Sequence, residues 1–131
     1  MTINLAVGSR LPAWATSMGR VLLAGLSATE LDRVLAMSQI QAYTPHTVTD
    51  VAELKRLLAG VRADGYACVA QELEPGLQSV AVPIVDRSGR VIAAMNVSGH
   101  ANRFSREEML AAFLPPLRRA ADQINHALLR R

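Results

Sequence analysis

Two polar residues end an otherwise apolar stretch of this sequence. Asn96 and Ser98 follow the apolar run 91–95, and Ser79 stands near the start of a second apolar stretch, 77–85. Hydroxyl and amide groups both donate and accept hydrogen bonds, so they can orient a polar ligand on an apolar surface. These three residues are therefore candidate ligand-binding groups, provided that the fold places them on one surface.

The sequence between the two stretches predicts a β-hairpin, because Asp-Arg-Ser-Gly at 86–89 is typical of a turn. With Val85 and Arg90 as partners flanking the turn, Ser79 lies opposite Asn96. Side chains alternate between the faces of a strand. One face then carries small and polar residues, Leu77, Ser79, Ala81, Ala94, Asn96 and Ser98. The other face is apolar: Val80, Val82, Ile84, Val91, Ala93, Met95 and Val97. Small residues on a sheet face indicate either a closely packed helix or a cavity.

A second group of candidates lies at the start of a predicted helix, in the sequence Thr-Ser-Met-Gly at 16–19. Thr16 or Ser17 can cap the helix, and the free N–H groups of its first turn suit a carboxylate or phosphate. The alternative to anion binding is that Ser17 only caps the helix. Gly19 inside the helix indicates a close approach of another backbone segment. Trp14, just before the helix, is either a cavity wall for an aromatic ligand or a core anchor.

The residues of common catalytic and metal sites do not form a recognisable pattern. A Ser-His mechanism would pair Ser79 or Ser98 with a histidine, but no G-x-S-x-G sequence is present. The three histidines are far apart and lack metal-ligand spacing, and Cys68 is the single cysteine. Glu72 and Glu74 bracket a turn and are expected to be solvated or to cap it. We therefore predict no catalytic residue, no metal, no cofactor and no enzymatic activity.

Periodicity predicts the elements that position these residues. A strand is expected within 1–7, helices around 17–25, after the capping box Ser27–Glu30 and between Asp50 and Gly65, and strands at 66–73 and in the hairpin. A last helix follows Ser105, and Pro115 and Pro116 are expected to kink or restart it. The order predicts an α+β fold with an antiparallel sheet covered by helices.

Composition fits one domain over residues 1–131. Half of the 131 residues are hydrophobic, 19% are charged, and the formal net charge is +3. The basic residues are scattered and are not interleaved with aromatic ones, so we expect no nucleic-acid binding by this chain itself. The lone cysteine and the lack of a secretion signal or membrane-spanning stretch predict a cytoplasmic protein without membrane contact.

Three stretches in order, VGSRLPAWATSMGRVLLAGL, YTPHTVTD and GYACVAQELEPGLQSVAVPIVDRSGRVIAAMNVSGHANRFS, resemble the effector-binding domain of IclR-type bacterial transcriptional regulators. They are most similar to the branch that controls aromatic-acid catabolism through the β-ketoadipate route, including the protocatechuate and 4-hydroxybenzoate regulators. The resemblance implies a GAF-like domain that pairs into homodimers or homotetramers and binds a small organic acid effector. It assigns the pocket to Ser17, Met18, Gly19, Ser79, Asn96 and Ser98, to which we add Trp14 as a candidate.

The chain departs from the family pattern in two places. Relatives often carry an acidic residue where Val69 or Ala70 stands, so a less acidic pocket is expected. The winged helix-turn-helix and the first strands of the family precede the stretch matched here, so DNA is expected to be bound only through a module absent from this chain. The predicted function is a sensor domain for a small, aromatic carboxylate effector in a regulator of catabolic genes. The alternative is an oligomerisation module of a truncated regulator that no longer binds effector.

Overall fold

The predicted α+β architecture is confirmed. The computed structural model describes residues 5–129. Three antiparallel strands lie in the order β1-β2-β3, with helices on both faces of the sheet. In chain order, a short 3-10 helix Ala13–Ala15 is followed by α1 Ser17–Ala24, α2 Ala28–Met37, α3 Val51–Asp64, β1 Ala67–Ala70, β2 Leu77–Val85, β3 Val91–His100 and α4 Arg106–Leu129.

The helix boundaries follow the capping signals of the sequence. The Ser27 hydroxyl accepts from the N–H of Glu30, and the Glu30 carboxylate accepts from the N–H of Ser27, which begins α2. Asp50 caps α3, and Gly65 ends it with a φ of 76°, a conformation that favours glycine. These local hydrogen bonds satisfy backbone groups that a helix end leaves unpaired.

The hairpin has a different register from the predicted one. Ser79 lies opposite Ser98, and Ala81 lies opposite Asn96, a displacement of two residues. Val85 pairs with Val91 and not with Arg90, which accounts for one residue of the displacement. A bulge between Ile84 and Val85 accounts for the other residue. An even displacement keeps each side chain on its face, so Ser79, Asn96 and Ser98 still share one face of the sheet.

The bulge corrects the expectation for one residue, Val91. It was expected on the apolar face that carries Val80 and Val82, but it packs instead with Val21 of α1 and with Ala81. An unpaired residue between Val91 and Ala93 shifts the alternation by one at this point of β3.

The main core lies between the sheet and α4. Val80 and Val82 of β2 are almost completely buried, together with Met109 of α4. Each such side chain contributes roughly 1.5–3 kcal/mol when it leaves water. The opposite face of the sheet packs against α1, which also contacts α3. The hairpin is therefore held from one side by α4 and presents its other face to α1.

Three expectations about the predicted elements need correction. The strand expected at 66–73 covers only residues 67–70, because the chain turns immediately after Ala70. Residues 5–7 are not a strand, and the rest of the strand expected within 1–7 lies outside the described residues. Helix α4 does not restart at Pro115 and Pro116. Both prolines are on its exposed side, where water can bind the carbonyl groups that they leave unpaired.

Candidate ligand-binding site

A cavity of about 420 Å³ lies between the start of α1, the segment linking β1 to β2, and the small-residue face of the hairpin. Ligand sites in proteins have volumes of about 300–1,000 Å³. Its described lining consists of Leu5, Leu11, Ala15, Thr16, Ser17, Met18, Val69, Glu72, Leu73, Leu77, Ser79, Asn96 and Ser98. Seven of these thirteen side chains are apolar, and the other six carry hydroxyl, amide or carboxylate groups.

Two buried hydroxyls join helix α1 to the sheet. The Oγ atoms of Ser17 and Ser79 are 2.7 Å apart, and either can be the donor. Ser17 is 1% exposed and Ser79 is 8% exposed. A buried hydroxyl without a partner costs about 1–3 kcal/mol, so each serine satisfies the other. The contact also brings the two predicted polar groups, from helix and strand, to one wall of the cavity.

Asn96 and Ser98 extend this polar wall onto β3, where Ser98 is the cross-strand partner of Ser79. The Nδ2 atom of Asn96 donates to Oγ of Ser98 at 3.3 Å. Asn96 is half-buried and Ser98 is exposed, so both keep further hydrogen-bonding capacity for a ligand. This pair occupies the same sheet face as Ser79.

The first turn of α1 supplies backbone donors next to these side chains. The Thr16 hydroxyl accepts from the N–H of Gly19, and the Thr16 carbonyl accepts from the N–H of Arg20. Thr16 is therefore the N-cap, which decides between the two predicted caps. The N–H groups of Ser17 and Met18 lie in the first turn, where no helical carbonyl can accept from them, and they carry the partial positive charge of the helix start.

Two predicted site residues do not line the cavity. Gly19 faces the 3-10 helix, where a Cβ atom would lie 2.4 Å from the Cα and carbonyl oxygen of Ala13. Its role is close backbone packing. Trp14 donates from its indole N–H to the Gln41 carbonyl at 3.2 Å and contacts the Tyr43 ring. The indole therefore anchors the 39–50 segment, as the alternative prediction for Trp14 had it, and it is not part of the described cavity lining.

Sequence reasoning missed a buried ion pair at the cavity. The Nη2 atom of Arg20 lies 2.5 Å from Oε1 of Glu72, and their side chains are 5% and 11% exposed. The expectation that Glu72 is solvated is therefore wrong. The available signal was Arg20, a charged residue on the apolar face of a short helix. A buried charge needs a partner of opposite charge, so this residue indicated an ion pair.

The segment carrying Glu72 is held by the loop before α3. The Thr44 hydroxyl donates to the Gln71 carbonyl and the Thr47 hydroxyl to the Glu72 carbonyl, each at 2.5 Å. The N–H of Val48 donates to Oε1 of Glu72 at 3.0 Å. Within the described chain, Gln71 is the non-glycine residue with positive φ, 58°. These bonds hold a backbone conformation that costs free energy in isolation.

The residues of rival site chemistries lie elsewhere. His46, His100 and His126 are exposed, and none of them is part of the described cavity lining. Burial raises the pKa of the Cys68 thiol, an effect that nearby Arg106 partly opposes, so this thiol is a weak nucleophile at neutral pH. Among residues 5–129, no three acidic, histidine or cysteine side chains are grouped as metal ligands would be. No helix in the same range is long and apolar enough to cross a membrane.

Comparison with known proteins identifies the family. The profile described as "Bacterial transcriptional regulator IclR C-terminal" matches residues 1–126. The chain therefore belongs to the IclR C-terminal family. The Pca regulon regulatory protein of Pseudomonas putida is 46% identical over 128 residues, which are 98% of this chain and 44% of that protein.

Two solved structures have the same fold. A chain from Rhodococcus sp. RHA1 is 48% identical with a TM-score of 0.91, covering 96% of this chain and 50% of the other. A double mutant of the inducer-binding domain of the PobR transcription factor from Acinetobacter, in complex with 3-hydroxybenzoic acid, is 34% identical with a TM-score of 0.86. That match covers 90% of this chain and 69% of the other. The present chain thus spans about half of its longer relatives.

Proposed function

We propose that this chain is the effector-binding domain of a transcriptional regulator of catabolic genes and that it binds a small aromatic carboxylate. The observation that carries the proposal is the cavity of about 420 Å³, in which helix α1 and the hairpin bring Ser17, Ser79, Asn96 and Ser98 together around apolar walls. Family membership supports the regulatory role.

The cavity chemistry favours an aromatic acid. Leucine side chains and Met18 provide an apolar surface for a ring. The first-turn N–H groups of α1 and the Ser17 hydroxyl form the positive, donor-rich end that suits a carboxylate. Asn96 and Ser98 are placed to bind a further polar substituent. The PobR domain, whose structure is a complex with 3-hydroxybenzoic acid, supports this ligand class.

Sensing in this proposal is a shift between two arrangements of the regulator. An effector that binds one arrangement more tightly increases its population, with a coupling on the order of 1–3 kcal/mol. DNA would be contacted through a winged helix-turn-helix outside this chain, in a cytoplasmic homodimer or homotetramer. The domain acts by binding and not as an enzyme, since Oγ of Ser79 pairs with another serine and not with a histidine base.

The test is a thermal-shift screen of the chain against protocatechuate, hydroxybenzoates, benzoate and short acids such as pyruvate. A ligand at about a hundred times its dissociation constant adds roughly 2.7 kcal/mol to the free energy of unfolding and raises Tm by several degrees. Asn96→Leu is expected to abolish the shift, because it removes a polar group from the cavity wall.

Asn102→Leu is the matched control, since it makes the same change at an exposed turn residue outside the cavity lining. A selective shift that survives in this control and disappears in Asn96→Leu supports the proposal. A folded chain that responds to no acid contradicts it and favours the oligomerisation module.

A further inference from the structure

Glu72 gives the cavity an unexpected chemical character. It is the ionisable side chain in a described lining that otherwise contains apolar, hydroxyl and amide groups. Glu72 is 9% exposed. The cavity therefore presents a hydrogen-bond acceptor with negative charge, although the effector proposed above is itself an anion.

The ion pair with Arg20 neutralises Glu72 from outside the cavity. Arg20 is not part of the described lining, and its Nε atom donates to the Trp14 carbonyl at 2.9 Å. Within residues 5–129, both hydrogen bonds to the Glu72 carboxylate, from Arg20 and from Val48, fall on Oε1. The second oxygen, Oε2, is thus the carboxylate atom available to a ligand.

The protein backbone fixes the position of this carboxylate. Gln71 donates from its N–H to the Leu77 carbonyl at 2.6 Å, and its side-chain oxygen accepts from the N–H of Gly76 at 3.1 Å. Together with the threonine bonds to the carbonyls of residues 71 and 72, these contacts hold both ends of the turn. A preorganised acceptor of this kind costs little entropy when it binds a donor.

We propose that Glu72 is a specificity-determining residue that accepts a hydrogen bond from a hydroxyl group of the effector. This inference rests on the proposed function. Like charges repel, so the effector carboxylate binds the N–H groups of Ser17 and Met18 rather than Glu72, and a hydroxyl group on its ring lies against Glu72. The site then selects hydroxylated aromatic acids over acids of similar shape that have no donor.

The test compares affinities in the wild-type chain by calorimetric titration with five acids. These are 3-hydroxybenzoate, 4-hydroxybenzoate, the two corresponding methoxybenzoates, and benzoate. A hydrogen bond to a charged acceptor changes affinity about tenfold or more. We expect one hydroxybenzoate to bind at least about tenfold more tightly than both its methoxy analogue and benzoate.

Glu72→Gln separates recognition from a purely structural role. Arg20 retains the side-chain oxygen of Gln, so the amide nitrogen, a donor, faces the cavity. We expect the preference for hydroxyl over methoxy to fall about tenfold while benzoate affinity stays nearly constant. Glu74→Gln removes the same charge from the same segment outside the described lining and should leave the preference unchanged.

Three outcomes overturn the assignment. If the wild type binds hydroxy, methoxy and unsubstituted acids equally, Glu72 does not determine specificity, although the chain still binds aromatic acids as proposed. An equal loss for all five acids in Glu72→Gln shows a structural role only. If none of the acids binds, the proposed function fails and the assignment fails with it. Should Glu72→Gln not fold, equal binding of the five acids by the wild type still overturns the assignment.

Discussion

The hydroxyl groups of Ser17 and Ser79 are in direct contact at 2.7 Å, although 62 residues of chain separate them. Each is buried, and each belongs to a different element of the site. This hydrogen bond couples the position of helix α1 to that of strand β2. The wall of the cavity is therefore also a structural joint.

Replacing both serines is expected to cost less than the sum of the two single replacements. Ser79→Ala leaves the Ser17 hydroxyl buried without its partner, which lowers the free energy of unfolding by about 1–3 kcal/mol. In Ser17→Ala/Ser79→Ala, no unsatisfied hydroxyl remains, so the loss should be smaller than the sum of the single losses. Urea denaturation of the four chains measures this coupling, and simple additivity would contradict it.

The Arg20–Glu72 pair is expected to be essential for stability. Arg20→Met leaves a buried carboxylate without its cation, a change that costs about 3–5 kcal/mol in proteins. Arg56→Met is the control, because it breaks the exposed pair with Glu53. It should leave the free energy of unfolding nearly unchanged, since solvent screens exposed pairs. A loss of similar size in both variants, measured by urea denaturation, would refute this account.

Two glycines in helices should respond in opposite ways to alanine. At Gly19 a Cβ atom would lie 2.4 Å from backbone atoms of Ala13, which cannot yield without moving the 3-10 helix. Gly19→Ala is expected to lower stability by about 1–3 kcal/mol. At Gly60 the space around a Cβ is open, so Gly60→Ala should raise stability by about 0.5–1 kcal/mol. Thermal unfolding of both variants checks the signs.

The hairpin turn should stabilise the protein in a pH-dependent manner. Hydrogen bonds from the Ser88 side chain and from the N–H groups of Arg90 and Ser88 lower the pKa of Asp86. A lowered pKa in the folded state contributes stability above the unfolded pKa of about 3.9, and this contribution is lost as pH falls through the folded pKa. The difference in urea midpoint between wild type and Asp86→Ala should therefore be largest near neutral pH.

Ser88→Ala provides the companion measurement for this turn. Ser88→Ala removes the hydroxyl donor but keeps the carboxylate and its backbone hydrogen bonds. The pH dependence of its urea midpoint should therefore lie between that of the wild type and that of Asp86→Ala. A wild-type advantage that grows as the pH falls from 6 to 3 would contradict the assignment.

Local signals predicted most of the fold. The cap residues Ser27 and Asp50 act within one turn of the chain, so their effect is readable from neighbouring letters. The polar and apolar faces of the hairpin follow from alternation alone. Its register does not, because the bulge at Ile84 and Val85 depends on how β3 packs against the rest of the domain.

The sequence predicted the hydroxyl and amide groups that line the candidate site, but it did not predict the charged pair of Arg20 and Glu72. Ser17, Ser79, Asn96 and Ser98 lie around the cavity, and the family resemblance had joined α1 to the strands. Glu72 was taken for a turn residue because its partner Arg20 is 52 positions away. Only the folded chain brings such a pair together, and the same holds for the contact of Trp14 with Gln41.

The alternation of β3 has a consequence for how such a sensor can diverge. Asn96 and Ser98 face the cavity, whereas Met95 and Val97 on the reverse side pack against the main core. Under the proposed function, alternate residues of β3 therefore serve ligand preference and stability. A point mutation on the cavity side of the strand then changes the recognised compound without disturbing the main core.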